Sequence, residues 1–276
     1  MNGRGTAKHV VAGLLKLTAA GRDTVRPGAH GAVVLLYHRV GRRSQLAIDL
    51  PRALFAAQVD ELASGGRIVS LDGLLSAVAG PDAPPVPPVA LTFDDGTADF
   101  ADEALPVLAA AAAPATLYVA TDFVDRGRPF PHDGNPLSWA ALRDVVSTGL
   151  VTVGSHTHTH ALLDRLPPDD VADELDRSVK LIEDHLGFTP EHFAYPKALL
   201  GSEAAQAAVR RRFRSAAIAG TRANRYGRTD PYRLHRSPVQ VADGMRWFRR
   251  KARGGMALED DVRRLVNRRR YEGAVT

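Results

Sequence analysis

The sequence predicts an α/β protein whose parallel strands, joined by helical crossovers, close into a barrel of seven or eight strands. Three observations lead there. Short apolar runs alternate with helical stretches at the spacing of βαβ units. The runs number about seven or eight, enough to close on themselves rather than stay an open sheet. Polar residues able to do chemistry stand directly after several of them, and in α/β barrels the C-terminal ends of the strands form the working face.

Val33–Tyr37 is a continuous apolar run, the pattern of a strand buried on both faces, and it ends in Tyr37-His38-Arg39. Leu54–Ala63 reads as a helix closed by Gly65-Gly66, followed by a short strand at Arg67–Ser70. Gly80–Pro88 holds five prolines and is a surface loop. Val89–Phe93 is the next strand, with Asp94-Asp95-Gly96 at its tip. Ala101–Ala113 is alanine-rich and helical, and Pro106 must sit in its first turns or bend it. Ala115–Ala120 is a strand. Ser138 caps a helix through Val146, with Gly149 beyond its end. Val151–Ser155 is a strand that leads into His156-Thr157-His158-Thr159-His160. Val171, Leu175, Val179, Ile182 and Leu186 form one apolar stripe over Asp169–Leu186, and Gly187 stops that helix. His192–Tyr195, Ser215–Ala219 and Leu234–Val239 complete the strands, with a helix at Glu203–Arg212. No internal repeat is visible.

With 276 residues, 45% apolar and 24% charged, the chain has the composition of a soluble globular protein able to bury a sizeable core. Its net charge of +5 is unevenly placed: residues 1–30 carry +4, residues 246–276 carry +6, and 31–245 carry −5. The chain therefore divides into a basic N-terminal extension (1–30), an acidic central domain (31–245) and a basic C-terminal tail (246–276). An acidic centre does not suit nucleic acid. The absence of cysteine excludes disulfides, zinc knuckles, iron–sulfur clusters and thiol nucleophiles. Val10–Leu15 is too short for a membrane span, which needs about 20 apolar residues, and Lys16 interrupts it without a small-residue cleavage site. A cytoplasmic protein is the expectation. Arg246-Trp247-Phe248-Arg249-Arg250-Lys251 mixes cations with aromatics, and residues 8–20 form a weakly amphipathic stretch. Both suit peripheral contact with an anionic inner membrane face; the alternative is a solvated tail.

Asp-Asp-Gly after a strand can be no more than a turn, and three histidines in five residues can be a solvated loop. Together they read as a divalent-metal site. Two adjacent aspartates supply one hard oxygen ligand and one free base, while His156 and His160, four apart, can share an ion. His158 projects elsewhere. One carboxylate and two imidazoles leave coordination positions open, as in catalytic rather than structural sites. Thr157 stands where a metalloprotease helix would need glutamate.

Thr92–Gly96, His156–His160 and Tyr37-His38 resemble the polysaccharide deacetylases, the NodB-homology group of carbohydrate esterases (carbohydrate esterase family four). The likeness extends to Pro114-Ala115-Thr116, Leu137-Ser138-Trp139 and Phe193-Ala194-Tyr195-Pro196, over roughly residues 31–240. It implies a distorted (β/α)7–8 barrel. It also implies that Asp95, His156 and His160 bind the metal, usually Zn²⁺, with Co²⁺, Ni²⁺ or Mn²⁺ open. Asp94 is then the base that activates a metal-bound water, whose pKa zinc lowers to about 7. A backbone N–H near Lys197 would complete an oxyanion site, and His235 in Leu234-His235-Arg236 would protonate the departing amine. His38, Tyr195, Pro196 and Lys197 are candidate substrate-binding residues; a buried structural role is the alternative for His38, and packing is the reading for Trp139. Two departures stand out: Ala194 replaces an arginine that orients the base in many members, and Lys197-Ala198 replaces the usual aromatic-Gly.

The expected activity is removal of N-acetyl groups from amino sugars of a glycan or a lipid-linked sugar. The alternatives are hydrolysis of another non-peptide C–N amide bond, and a catalytically silent glycan-binding or scaffold protein. The sugar, N- versus O-deacetylation and the oligomeric state are not readable from these motifs.

Overall fold

The computed structural model describes residues 16–23, 31–259 and 261–262. Seven parallel strands close into a barrel in the order β1 (Val33–Tyr37), β4 (Val89–Phe93), β5 (Ala115–Val119), β6 (Val151–Ser155), β7 (His192–Ala194), β8 (Ser215–Ala219) and β9 (Leu234–Pro238). β9 returns to pair with β1, Val34 opposite Arg236. Two short strands, β2 (Arg39–Val40) and β3 (Asp49–Leu50), pair beside the barrel mouth. The seven-strand barrel fulfils the expectation. It is irregular at one seam, where β6 and β7 share the single pair Ser155–Phe193.

Strand alternation divides the side chains between two cores. Val33, Leu35, Tyr37, Val89, Leu91 and Phe93 face outward and pack under the helices. Val34, Ala90, Tyr118, Ala194, Ala217 and Leu234 face inward. Helix α3 (Leu71–Ala79) plugs the N-terminal end of this interior with Leu71, Leu74 and Val78. Gly154 on β6 is required by close approach: a Cβ there would lie 2.7 Å from the His192 carbonyl oxygen and 2.7 Å from Tyr118 Cδ1.

The crossovers are α2 (Arg52–Ser64), α4 (Leu105–Ala110), α5 (Thr121–Arg126), α6 (Trp139–Ser147), α7 (Pro168–Leu186) and α8 (Glu203–Arg212). Ser138 caps α6 by accepting from the Ala141 N–H, and Gly187 ends α7 in a left-handed conformation at φ 81°. The helix expected over 101–113 is divided. Residues Phe100–Ala104 form a π-turn, with the Leu105 N–H reaching the Phe100 carbonyl, before α4 begins with Pro106 in its first turn. Pro106 has no N–H to donate and fits only where none is required. The strand expected at 67–70 reduces to one bridge, Ile68 to Val89, because Ser70 already caps α3.

The expected boundary at 245/246 falls inside helix α9 (Gly244–Lys251). Phe248 within it and Met256 beyond its end are fully buried, so the first part of the basic tail packs as part of the domain. Its surface is correspondingly less basic than the sequence suggested, with Lys251 buried and Arg249 paired to Glu61 at 2.8 Å. Residues 16–23 are helical (α1); the remainder of the 8–20 stretch and residues 263–276 lie outside the described residues. Among the described residues no helix is long and apolar enough to cross a membrane.

A buried charge cluster joins α1 to α9. Asp243 accepts from Lys16 and, at 2.8 Å, from Lys251, and Glu259 lies 2.9 Å from Lys16. Burial pushes the Asp243 carboxyl up, but Lys251 and Lys16 outweigh it and hold the pKa below its ordinary value. The pair therefore stabilises the fold above the ordinary carboxylate range and loses that contribution as pH falls through the depressed pKa. Asp243→Asn strips two buried ammonium groups of their shared partner. A loss of about 3–5 kcal/mol is expected, to be read from the shift of the denaturant midpoint at neutral pH.

Candidate active site

Asp94 and Asp95 stand at the tip of β4, and His156 at the tip of β6, all at the C-terminal mouth of the barrel. The backbone must turn sharply to aim them. Asp95 has φ 77° and Gly96 φ 89°. A Cβ on Gly96 would also press on Val119 at 3.3 Å, so only glycine fits without strain. Thr157, His160 and Lys197 are left-handed too, at φ 64°, 65° and 52°. Non-glycine residues seldom occupy this region, and such positions gather at functional sites.

The geometry brings the expected triad together. His156 Nε2 lies 3.7 Å and His160 Nε2 3.5 Å from Asp95 Oδ1. One ligand atom from each of the three residues falls within 4.8 Å of the others. His156 Nδ1 sits 2.7 Å from the Ala194 carbonyl oxygen; that bond assigns its proton to Nδ1 and leaves the Nε2 lone pair facing Asp95. Burial, with smaller contributions from His156 and Lys197, pushes His160 down to about 3 against the pull of Asp95, so its imidazole is neutral and able to ligate. Two nitrogens and one carboxylate oxygen, with His156 deep and Asp95 and His160 partly open to solvent, fit a divalent ion with free positions.

Asp94 is not a spare ligand but half of an ion pair. Arg236 on β9, fully buried, donates Nη1 to Oδ1 at 2.5 Å and Nη2 to Oδ2 at 2.8 Å. Burial would raise the Asp94 carboxyl; Arg236, with His156 and His38, outweighs it and holds the pKa down to about 2. The sequence reading missed this arginine. The signal was present: Ala194 stands where an orienting arginine was expected, and Arg236 supplies the guanidinium from another strand.

Arg236 points inward, so its strand neighbour His235 points the other way. The His235 ring lies against Gly220 and its backbone N–H is held by Asn224 at 2.9 Å. The structure therefore does not bring His235 to the site. His38, at the tip of β1, is brought there: the charges of Asp95, Asp94, Arg236 and His156 all act on its ring. Burial pushes its pKa down, and its Nδ1 is buried without a hydrogen-bond partner. Tyr195 is also corrected. It is buried in the outer core, edge-on to Phe193 at 4.9 Å, and does not line the mouth. Pro196 is buried in the turn after β7, and Lys197 is exposed beside His160. Trp139 packs flat on His185 at 4.4 Å, as its packing role requires.

A second cluster able to hold a metal, Asp72, Glu191 and His192, lies at the N-terminal end of the barrel. Arg214 already bridges Asp72 at 3.3 Å and Glu191 at 2.5 Å, so this cluster is an ion-pair network.

A family model described as polysaccharide deacetylase matches residues 82–215. The solved structure of IcaB from Ammonifex degensii superposes with a TM-score of 0.70 at 28% identity, covering 82% of this chain and 99% of that one. Residues 82–215 thus match the polysaccharide deacetylase family model, and the barrel has the fold of a solved member. The same fold is found in the Streptococcus pyogenes deacetylase PplD, solved with acetate, at TM-score 0.70 and 20% identity over 81% of this chain and 99% of that one. It recurs in BC0361, a polysaccharide deacetylase from Bacillus cereus, at TM-score 0.66 and 21% identity over 81% and 69%. No curated protein matches the chain.

Replacing Arg236 by Met leaves burial unopposed at Asp94. The variant is expected to unfold about 3–5 kcal/mol more easily. The acid limb of its kcat/KM profile should move to higher pH, since the depressed Asp94 pKa then rises toward and beyond the ordinary value near ~3.9. An unmoved acid limb would show that the pair does not set an ionisation on which activity depends.

Proposed function

We propose that this protein is a polysaccharide deacetylase that hydrolyses the N-acetyl group of an amino sugar within a glycan or lipid-linked sugar, using a divalent metal held by Asp95, His156 and His160. The observation that carries the reading is the arrangement at the tip of β4: Asp95 Oδ1 faces both imidazoles, while Asp94, also 3.7 Å from His156, has both oxygens bonded to Arg236. When bound, the metal supplies Lewis acidity to the acetyl carbonyl and to water; Zn²⁺ suits the donor set, with Co²⁺, Ni²⁺ and Mn²⁺ as other candidates.

Asp94 takes the proton of the attacking water. Held at about 2, its protonated form is a strong acid and does not retain that proton. The departing nitrogen must gain one as the C–N bond breaks. His38 is the histidine positioned to carry it, in place of the expected His235. Its imidazole is kept neutral by burial, so it relays a proton received at the site rather than holding one at rest. The Ala194 carbonyl keeps His156 in its ligating tautomer, and Lys197 contributes positive charge at the rim.

Acetate release from N-acetylated oligosaccharides and lipid-linked sugars, with Zn²⁺ supplied and then chelated, tests the activity. Asp94→Asn is expected to abolish turnover while metal remains bound; retained turnover would remove Asp94 from the base role. His38→Ala should lower kcat by roughly 10²-fold or more, whereas His235→Ala should leave it within a few fold. The reverse order would restore His235 as the acid. Stoichiometric metal with no acetate from any sugar would favour a silent glycan-binding protein.

A further inference from the structure

The two triad histidines are four residues apart, yet the chain between them is not helical. Residues 156–160 form an irregular turn with Thr157 and His160 in left-handed conformations. Such a turn holds two imidazoles on one point only if something outside it fixes the backbone. Glu174 on α7 does so. Its Oε2 accepts from the N–H of His158 at 3.0 Å and of Thr159 at 2.8 Å, and its Oε1 accepts from Thr159 Oγ1 at 2.7 Å. Among the described residues it forms no salt bridge, so both oxygens are committed to the turn. One helical turn later on the same face of α7, Ser178 Oγ lies 2.7 Å from Ser155 Oγ at the end of β6. That contact sets the helix against the strand that launches the histidines.

His158 grips the other side. Its Nδ1 is 3.0 Å from Thr121 Oγ1, and its carbonyl accepts from the Asp122 N–H at 2.9 Å. The Thr157 carbonyl accepts from the Thr121 N–H at 3.3 Å. The middle histidine of the run thus faces α5, and the turn is clamped between α5 and α7.

We propose that Glu174, aided by His158, is a positioning residue that sets the metal affinity of the Asp95, His156 and His160 triad by holding the turn between the histidines in its ligating shape. This rests on the triad being the metal site, and metal binding can be read without substrate. Partners that orient ligands in this way commonly contribute 10- to 100-fold in affinity.

The test is competition between the full-length protein and a chromophoric chelator for Zn²⁺, with the Co²⁺ absorption spectrum as the record of ligand geometry. Glu174→Ala is expected to weaken Zn²⁺ binding by on the order of 10- to 100-fold and to alter the Co²⁺ bands, with acetate release recovering in excess metal. Thr159→Val, which removes only the bond to Oε1, should weaken binding by a few fold and serves if the first variant fails to fold. Unchanged Zn²⁺ affinity in folded Glu174→Ala, or in Thr159→Val where that variant stands in, would overturn the role of Glu174. A wild-type chain that binds no metal would overturn both the triad and this inference, while absence of acetate release with metal bound would overturn only the proposed reaction.

Discussion

The site is organised by a nearly buried charge. Asp94 is almost fully buried at the barrel mouth, and a carboxylate there stays ionised only because Arg236 meets both of its oxygens. The guanidinium has to cross the barrel interior to do so, which constrains what else can line it. Ala90, Ala194 and Ala217 are small, the Tyr118 ring lies 5.2 Å from the guanidinium carbon, and Thr92 Oγ1 lies 3.4 Å from Nη1. A buried pair of this kind gives little net stability over an apolar filling, and losing one partner is costly. Its presence is better explained by the ionised carboxylate it maintains than by the fold it supports.

Around that pair the barrel acts as a frame for backbone that would not hold its shape alone. Asp95, Thr157, His160 and Lys197 are left-handed, and each follows a strand end or a turn anchored to one. The Asp94 N–H bonds to the Tyr37 carbonyl at 3.1 Å, and the Ala120 N–H to the Asp95 carbonyl at 3.2 Å. The aspartate tip is therefore stitched to the strands on both sides. Strain of order 1–3 kcal/mol per residue is tolerated where the surroundings over-determine the conformation. Neighbouring strands and the clamp from α5 and α7 provide that here.

Most strands were legible because a parallel strand buried on both faces writes itself as an unbroken apolar run, as at Val33–Tyr37 and Val89–Phe93. Three helices escaped notice: α5, which is only six residues long, and α3 and α9 for separate reasons. α3 is nine residues with a glycine inside it. α9 shows the sequence mainly its arginines, while its burial rests on Phe248 and on a lysine that folds inward to Asp243. At the site, residue types and spacing sufficed for Asp94, Asp95, His156 and His160. They could not choose between His235 and Arg236, because a shift of one residue on a strand reverses which side chain faces inward. Tyr195 fails for the same reason, alternating outward with Phe193. Glu174 was beyond reach of the sequence, since its role depends on where α7 lies against a turn more than ten residues away.

The low pKa of Asp94 ties the two halves of the site together. A carboxylate held at about 2 is a poor base, and ordinary water, with a pKa near 15.7, would scarcely yield a proton to it. The pairing with Arg236 would defeat catalysis if the carboxylate acted alone. It would become useful if the water were itself acidified, as a zinc ion held by Asp95, His156 and His160 would do, to a pKa of about 7. In the proposed reaction a weak base would then be an advantage, because a proton taken by it would pass readily to His38 and the departing amine. Asp95 and Asp94, adjacent in sequence, share His156 at 3.7 Å and differ in their other partner, His160 for Asp95 and Arg236 for Asp94.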